Sequence, residues 1–300
     1  MQRRGRRGGP RDPSEILVTE VLNDYAQQRG SKIAAPERIA YAMLALIDFF
    51  EGNFVGNVTP QTCTRYLEER GVSAGTVRRE LGVLRAAINH AHRTGRITRP
   101  VAIELPERPE PRDRWLTRTE AARLIRAART PQARLYLPLF ILIGLHTGRR
   151  KEAILSLRWP QVNLEAETID FEIAGRKRTN KKRGIVRISP HLLPHLRRAR
   201  QRGTDLGYVL HINGEPIKDI KKGFAATCKR AGLEGITPHT LKHTAATWLM
   251  QAGTDPWQAA GFLSTSVQTL LRVYGHHHHD YQREAAENIG RRPQNVRIIA

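Results

Sequence analysis

Three prolines, Pro106, Pro109 and Pro111, fall within six residues of a run that carries charge through to Arg114. Each fixes its own φ, lacks an amide donor and pushes the residue before it toward extended backbone, so no helix or sheet interior passes through. The run predicts an extended linker, with the chain folding as separate bodies on either side of it. The 300 residues suffice for two cores. The expected division is a flexible basic arm over 1–13, a helical domain over 14–104, the linker over 105–116, a second domain over 117–290 and a tail over 291–300.

Hydrophobic spacing makes the first body helical. Ile16, Val18, Val21, Leu22 and Tyr25 recur as one helical pattern, and Ile39, Ala42, Met43, Leu46, Phe49 and Phe50 as a second. Thr59-Pro60 places a hydroxyl cap before a proline at the first helical position and opens a third helix; Thr76 is expected to open a fourth. In that fourth, Val77, Leu81, Leu84, Ala87, Ile88 and Ala91 keep helical spacing while Arg78, Arg79, Arg85 and Arg93 supply charge. Beyond the linker, Thr117 to Ala128 reads as a capped helix and Leu135 to Leu145 as a buried one. Thr168 to Ile173 alternates like a strand, with Ile185 to Ile188 as its hairpin partner and a basic turn between them. Tyr208 to Ile212, closed by Asn213-Gly214, suggests a third short strand. Ile220, Phe224 and Cys228 share a helical face that ends near Gly232, and helices continue to about Ile289. The fold class is therefore mainly α with a small antiparallel β-sheet.

Fifty Lys and Arg stand against 28 Asp and Glu, a net charge of +22 and a sequence pI near 11.0, which calls for a polyanionic partner. Charge alone leaves DNA, RNA and anionic membrane open. No apolar run approaches the roughly 20 residues of a spanning helix, and the longest is interrupted by Pro138, so membrane insertion is not expected. Met1 to Pro13 has five arginines among glycines and no hydrophobic signal region, which reads as a basic arm and not a secretory leader. Cys63 and Cys228 have neither disulfide nor metal spacing; buried thiols in a reducing cytoplasm are the expectation.

The chemistry concentrates near the C-terminus. In Ile236-Thr237-Pro238-His239-Thr240-Leu241-Lys242-His243, Thr237 reads as a helix cap and Pro238 as the first helical residue, which puts His239 and Lys242 on one face of the first turn. Cations at a helix N-terminus oppose the dipole unless an anion such as phosphate binds between them. Thirty-two residues after Lys242 stands Tyr274, in Arg272-Val273-Tyr274-Gly275-His276. Its spacing with Val267, Leu270 and Leu271 also suits a packing residue. The four histidines His276 to His279 invite a metal, but adjacent side chains are expected to diverge too far to share one, and neither metal nor cofactor is expected.

With these boxes in hand, His146-Thr147-Gly148-Arg149-Arg150-Lys151-Glu152 resembles the first arginine box of the tyrosine recombinase, or phage integrase, family. The resemblance runs from about Glu15 to Gly290 and implies a helical core-binding domain followed by a mixed catalytic domain. It puts Arg150 at the scissile phosphate, and a catalytic lysine on the Thr179-Asn180-Lys181-Lys182-Arg183 hairpin, at Lys181 with Lys182 as the alternative. It assigns His239 to proton movement and Tyr274 to nucleophilic attack. Lys242 stands where most members have arginine, and Thr265 where the family usually shows His or Trp, with His276 as an auxiliary donor. Arg78, Arg79, Lys182 and Arg183 are the implied DNA contacts, and Thr76 to Leu81 matches the N-terminal domain.

The implied activity is site-specific DNA recombination through a 3′-phosphotyrosyl intermediate, integrating or excising a phage or mobile element. The implied partners are double-stranded DNA and a homotetramer assembled on it, with DNA-bending accessory proteins left open, in the bacterial cytoplasm at the nucleoid. A chromosome-dimer resolving or inverting recombinase, and a catalytically weakened DNA-binding relative, stay open as alternatives. RNA binding is the weakest reading, with aromatics at only 6%.

Overall fold

The computed structural model describes residues 9–29, 36–109, 114–172, 184–202 and 207–289, and the chain divides into two compact units, Met1–Arg112 and Asp113–Ala300. In the first, α1 (Val18–Arg29), α2 (Pro36–Phe49) and α3 (Pro60–Glu69) pack on α4 (Ala74–Arg93). The helical spacing of α4 translates directly into burial, since Val77, Leu81, Leu84, Ala87, Ile88 and Ala91 are all in the core. Thr59 caps α3, with Pro60 in its first turn, as expected. Thr76, however, does not open α4. Ser73 is its N-cap, and the Ser73 carbonyl already accepts from the Thr76 and Val77 amides (2.8 and 3.1 Å), so the first turn closes three residues earlier.

A buried charge organises this unit. Glu80 accepts from the Tyr66 hydroxyl (2.7 Å) and from Arg70 Nη2 (3.2 Å), and is 5% exposed. Burial, then the hydrogen bond to Glu80 and its negative charge, push the Tyr66 phenol well above its ordinary pKa. Arg78 donates to the Pro106 carbonyl, which lays the start of the proline-rich stretch back on α4.

The second unit opens with α5 (Arg118–Ala127), held by reciprocal hydrogen bonds between Thr117 and Glu120. Next comes α6 (Leu137–Thr147), apolar on all sides and buried throughout, with only His146 and Pro138 partly open. It begins two residues later than the apolar run, because Pro138 suits a first turn, where a missing amide costs nothing; Leu135 is left 69% exposed. After α7 (Lys151–Leu155), the strands β1 (Val162–Asn163), β2 (Thr168–Asp170) and β3 (Ile185–Arg187) form an antiparallel sheet, Ile169 facing Val162 and Val186. The β2–β3 hairpin was expected and β1 was not.

Following α8 (Leu193–Arg202), β4 (His211–Ile212) pairs with β5 (Glu215–Pro216) in a separate hairpin. Asn213 and Gly214 make its turn at φ 51° and 88°, so the expected short strand does not join the first sheet. The chain closes with α9 (Lys221–Arg230), α10 (Thr240–Gln251), α11 (Pro256–Leu263), α12 (Val267–Tyr274) and α13 (Arg283–Ile289).

The central contact of this unit is α6 against α10. A Cβ on Gly144 would lie 2.7 Å from Leu241 Cδ1, so glycine there permits the close approach. Leu116 is tied to the same helix at both backbone groups: its amide donates to Thr244 Oγ1 (2.9 Å) and its carbonyl accepts from Trp248 Nε1 (3.0 Å). The fold is mainly α with small antiparallel sheets. Both cysteines are buried free thiols, and among the described residues no helix is long and apolar enough to cross a membrane.

Candidate active site

The end of α6 delivers the first cations. Gly148 ends the helix in the left-handed region (φ 60°), and a Cβ there would stand 2.3 Å from Leu263 Cδ2, so the turn rests on the end of α11. Two arginines leave this turn with opposite fates. Arg150 is exposed and caps the N-terminus of α7 with extended backbone. Arg149 is 3% exposed: its Nη1 donates to the Phe262 carbonyl (2.9 Å), its Nη2 reaches toward the Gly184 carbonyl (3.5 Å), and its guanidinium lies 5.2 Å from the Phe171 ring centre. Burial, then the charge of Arg150, push the Arg149 pKa down to about 10.

The N-terminus of α10 supplies the next group. The helix begins at Thr240 and not at Pro238. Thr237 and Pro238 form a turn, in which the Thr237 carbonyl accepts from the Thr240 amide (2.9 Å), and His239 becomes the N-cap position. Thr237 is therefore not the cap; its own amide donates to Thr240 Oγ1 (3.0 Å). Lys242, 8% exposed, donates from Nζ to the Leu263 carbonyl (2.7 Å). Consecutive carbonyls at the end of α11 thus receive buried cations from two distant segments, Arg149 and Lys242, in the place where a helix dipole favours positive charge. Burial, then the charges of Arg150 and Arg149, bring the Lys242 ammonium down to about 7 from 10.5. Partial desolvation and the charges of His243, Lys242 and Arg150 hold the His239 imidazole below its ordinary value.

Tyr274 ends α12 and is 8% exposed, packed with Ala245, Met250, Leu263 and Leu270. Its packing role is thus real, and its hydroxyl is engaged as well: it lies 2.7 Å from His243 Nδ1. The His243 ring meets the His239 ring edge-on, with centroids 4.7 Å apart. Tyr274, His243 and His239 therefore form a continuous series of neighbours, and Lys242 and Arg150 lie close enough for their charges to act on His239. Sequence reasoning did not assign roles to Arg149 or His243. The only signal for His243 was its place one helical turn after His239.

Lys181, Lys182 and Arg183 lie outside the described residues. Thr265 follows the left-handed Ser264, and its amide closes on the Ala260 carbonyl (3.0 Å), two residues past the carbonyl that receives Lys242. His276 lines a cleft with Met250, Pro256, Leu271 and Tyr281, while His277 meets the Trp115 ring. On α4, Arg79 is exposed and Arg78 is engaged at Pro106. The expected divergence of adjacent histidines does not hold at 278–280, where the chain turns tightly and the ligand-type atoms of His278, His279 and Asp280 lie within 4.8 Å of one another. Those groups are already engaged: the Asp280 amide donates to His278 Nδ1 (3.2 Å), and the Asp280 carboxylate pairs with His279 (2.9 Å) and Arg283 (3.0 Å).

The family model described as the phage integrase family matches residues 114–280. The integrase of Salmonella phage P22 is 26% identical over 188 residues, 58% of this chain and 46% of that protein, so the chain spans about half the length of this relative. Tyrosine recombinase XerD of Listeria monocytogenes is 24% identical over 286 residues, 87% of this chain and 93% of that protein. The structure of the Tn1549 transposon integrase in complex with a circular intermediate DNA shares the fold, with a TM-score of 0.75 at 18% identity, covering 92% of this chain and 100% of that one.

Proposed function

This chain belongs to the phage integrase family, and from that premise we propose that it is a site-specific DNA recombinase that integrates or excises a phage or mobile element. The observation that carries the reading is the Tyr274 hydroxyl held one imidazole away from the cluster of His239, Lys242 and Arg150. A phenol is the nucleophile, and the cations match the charge that develops on a phosphate as it is attacked. Tyr274 Oη attacks the scissile phosphorus, the 5′ oxygen leaves, and a 3′-phosphotyrosyl bond retains the energy needed for rejoining. Arg150 and Lys242 stabilise the pentacoordinate phosphate, His239 assists proton movement and Lys181 protonates the leaving oxygen, with Lys182 as the alternative. Thr265 and His276 are candidate further donors to the phosphate.

The partner is double-stranded DNA, contacted through basic residues that include Arg78, Arg79, Lys182 and Arg183. Exchange between two duplexes needs four such sites, hence a homotetramer on DNA, in the bacterial cytoplasm at the nucleoid; bending proteins are a further partner class. Resolution or inversion is the runner-up, favoured by the near full-length match to the XerD relative. The decisive measurement traps covalent protein on a nicked duplex carrying the boundary sequence of the element that surrounds the gene. The parent protein should form the adduct, while Tyr274→Phe should bind equally well and form none. Arg150→Ala should also lose cleavage with its fold intact. Binding without any adduct from the parent would favour a DNA-binding relative that has lost catalysis.

A further inference from the structure

We propose that His243 is the proton acceptor for the Tyr274 hydroxyl, an inference that rests on the recombinase reading above. The evidence is geometric. The 2.7 Å separation between Tyr274 Oη and His243 Nδ1 is a short hydrogen bond between two partners 31 positions apart, on α10 and α12. The contact fixes the reacting oxygen of an otherwise buried side chain. His243 is half-buried, and its ring also contacts His239, one helical turn back. A phenol with an unperturbed pKa near 10 is a weak nucleophile at neutral pH, so a base within hydrogen-bond reach supplies what the cation cluster does not.

The step balances as follows. Tyr274 O–H donates to a neutral His243 Nδ1, the proton moves to that nitrogen as the Oη–P bond forms, and the P–O5′ bond breaks with the 5′ oxygen protonated by the acid of the proposed function, Lys181 or its alternative Lys182. In rejoining, His243 returns the proton to Oη. His243 thus touches the reacting atom, and its unprotonated form is the active one.

The test measures the rate of adduct formation by the full chain on the nicked boundary duplex between pH 5.5 and 8.5. The parent rate should rise with pH as the imidazole of His243 gives up its proton. His243→Ala should be slower by roughly 10²- to 10⁴-fold, as for a lost general base, and should lose that rise. Added imidazoles should restore the rate of His243→Ala, the more basic ones more strongly, an effect that mere repacking of a cavity would not produce. A folded, DNA-binding His243→Ala with the parent's rate and pH profile overturns the proposal, and so does a slow variant that no imidazole rescues. Should that variant fail to fold, the parent profile decides, and a rate flat across the imidazole range overturns it. An inactive parent, or an adduct formed by Tyr274→Phe, overturns the recombinase reading itself.

Discussion

A lysine with a pKa of about 7 is partly neutral near pH 7, and a phosphate placed beside Lys242 would reverse the burial and charge effects that depress it. Its folded value lies below the ordinary 10.5, so an anion that raises it again makes binding take up protons between about 7 and 10.5. Calorimetry at pH 8 in buffers of unlike ionisation enthalpy should show this uptake in the parent and lose it in Lys242→Arg, whose guanidinium stays charged. Equal uptake in both would remove Lys242 from the phosphate. In cleavage, Lys242→Arg should retain activity and Lys242→Ala should lose about 10²-fold or more. His146 gives the opposite kind of test. Burial, then the charges of His191, Arg118 and His195, lower its pKa to about 4, so the stability held by neutral His146 is present above about 6.5 and is lost as pH falls toward 4. Urea midpoints should drop over that window in the parent and less in His146→Gln. Arg150, His239, Lys242 and Tyr274 could be picked out from the order and spacing of short boxes. Arg149 and His243 could not, because their significance depends on Phe262, 113 positions away, and on Tyr274, 31 away.

Caps and turns were legible because their chemistry is local. Thr59, Thr117 and Asn213-Gly214 each meet partners within a few residues. The strand β1, two residues long, carries too little periodic signal to be read, the arginine-rich α8 buries only Leu193 and Leu196, and the start of α10 depends on a Thr237–Thr240 turn that competes with the proline rule. Elements also meet at points that tolerate no added atom. Gly148→Ala places a Cβ at φ 60° and 2.3 Å from Leu263 Cδ2, so it should destabilise the second unit by about 1–3 kcal/mol and swing Arg149 and Arg150 out of register. Its melting and its adduct yield should fall together; unchanged adduct formation would detach the turn from the site. In the first unit, removing Glu80 leaves Arg70 and the Tyr66 hydroxyl without their acceptor. Glu80→Ala should cost about 3 kcal/mol in denaturant unfolding, and Glu80→Gln less.

Across the whole molecule, a net charge of +22 is far more than solubility requires. If roughly six to ten phosphates are neutralised, affinity for duplex DNA should fall by about three to five decades between about 50 and 200 mM salt, measured as the slope of log affinity against log salt. A flat response would point to another partner. The paired carbonyls at the end of α11 bear on the same binding from another side. Phe262 and Leu263 already orient Arg149 and Lys242, two long side chains drawn from segments about ninety residues apart. Gathering such chains around a ligand ordinarily costs about 0.5–1.5 kcal/mol of rotamer entropy each. Here that ordering is completed during folding, so a phosphate that reached Lys242 would meet a side chain already fixed in place, with the buried Arg149 holding the same helix end.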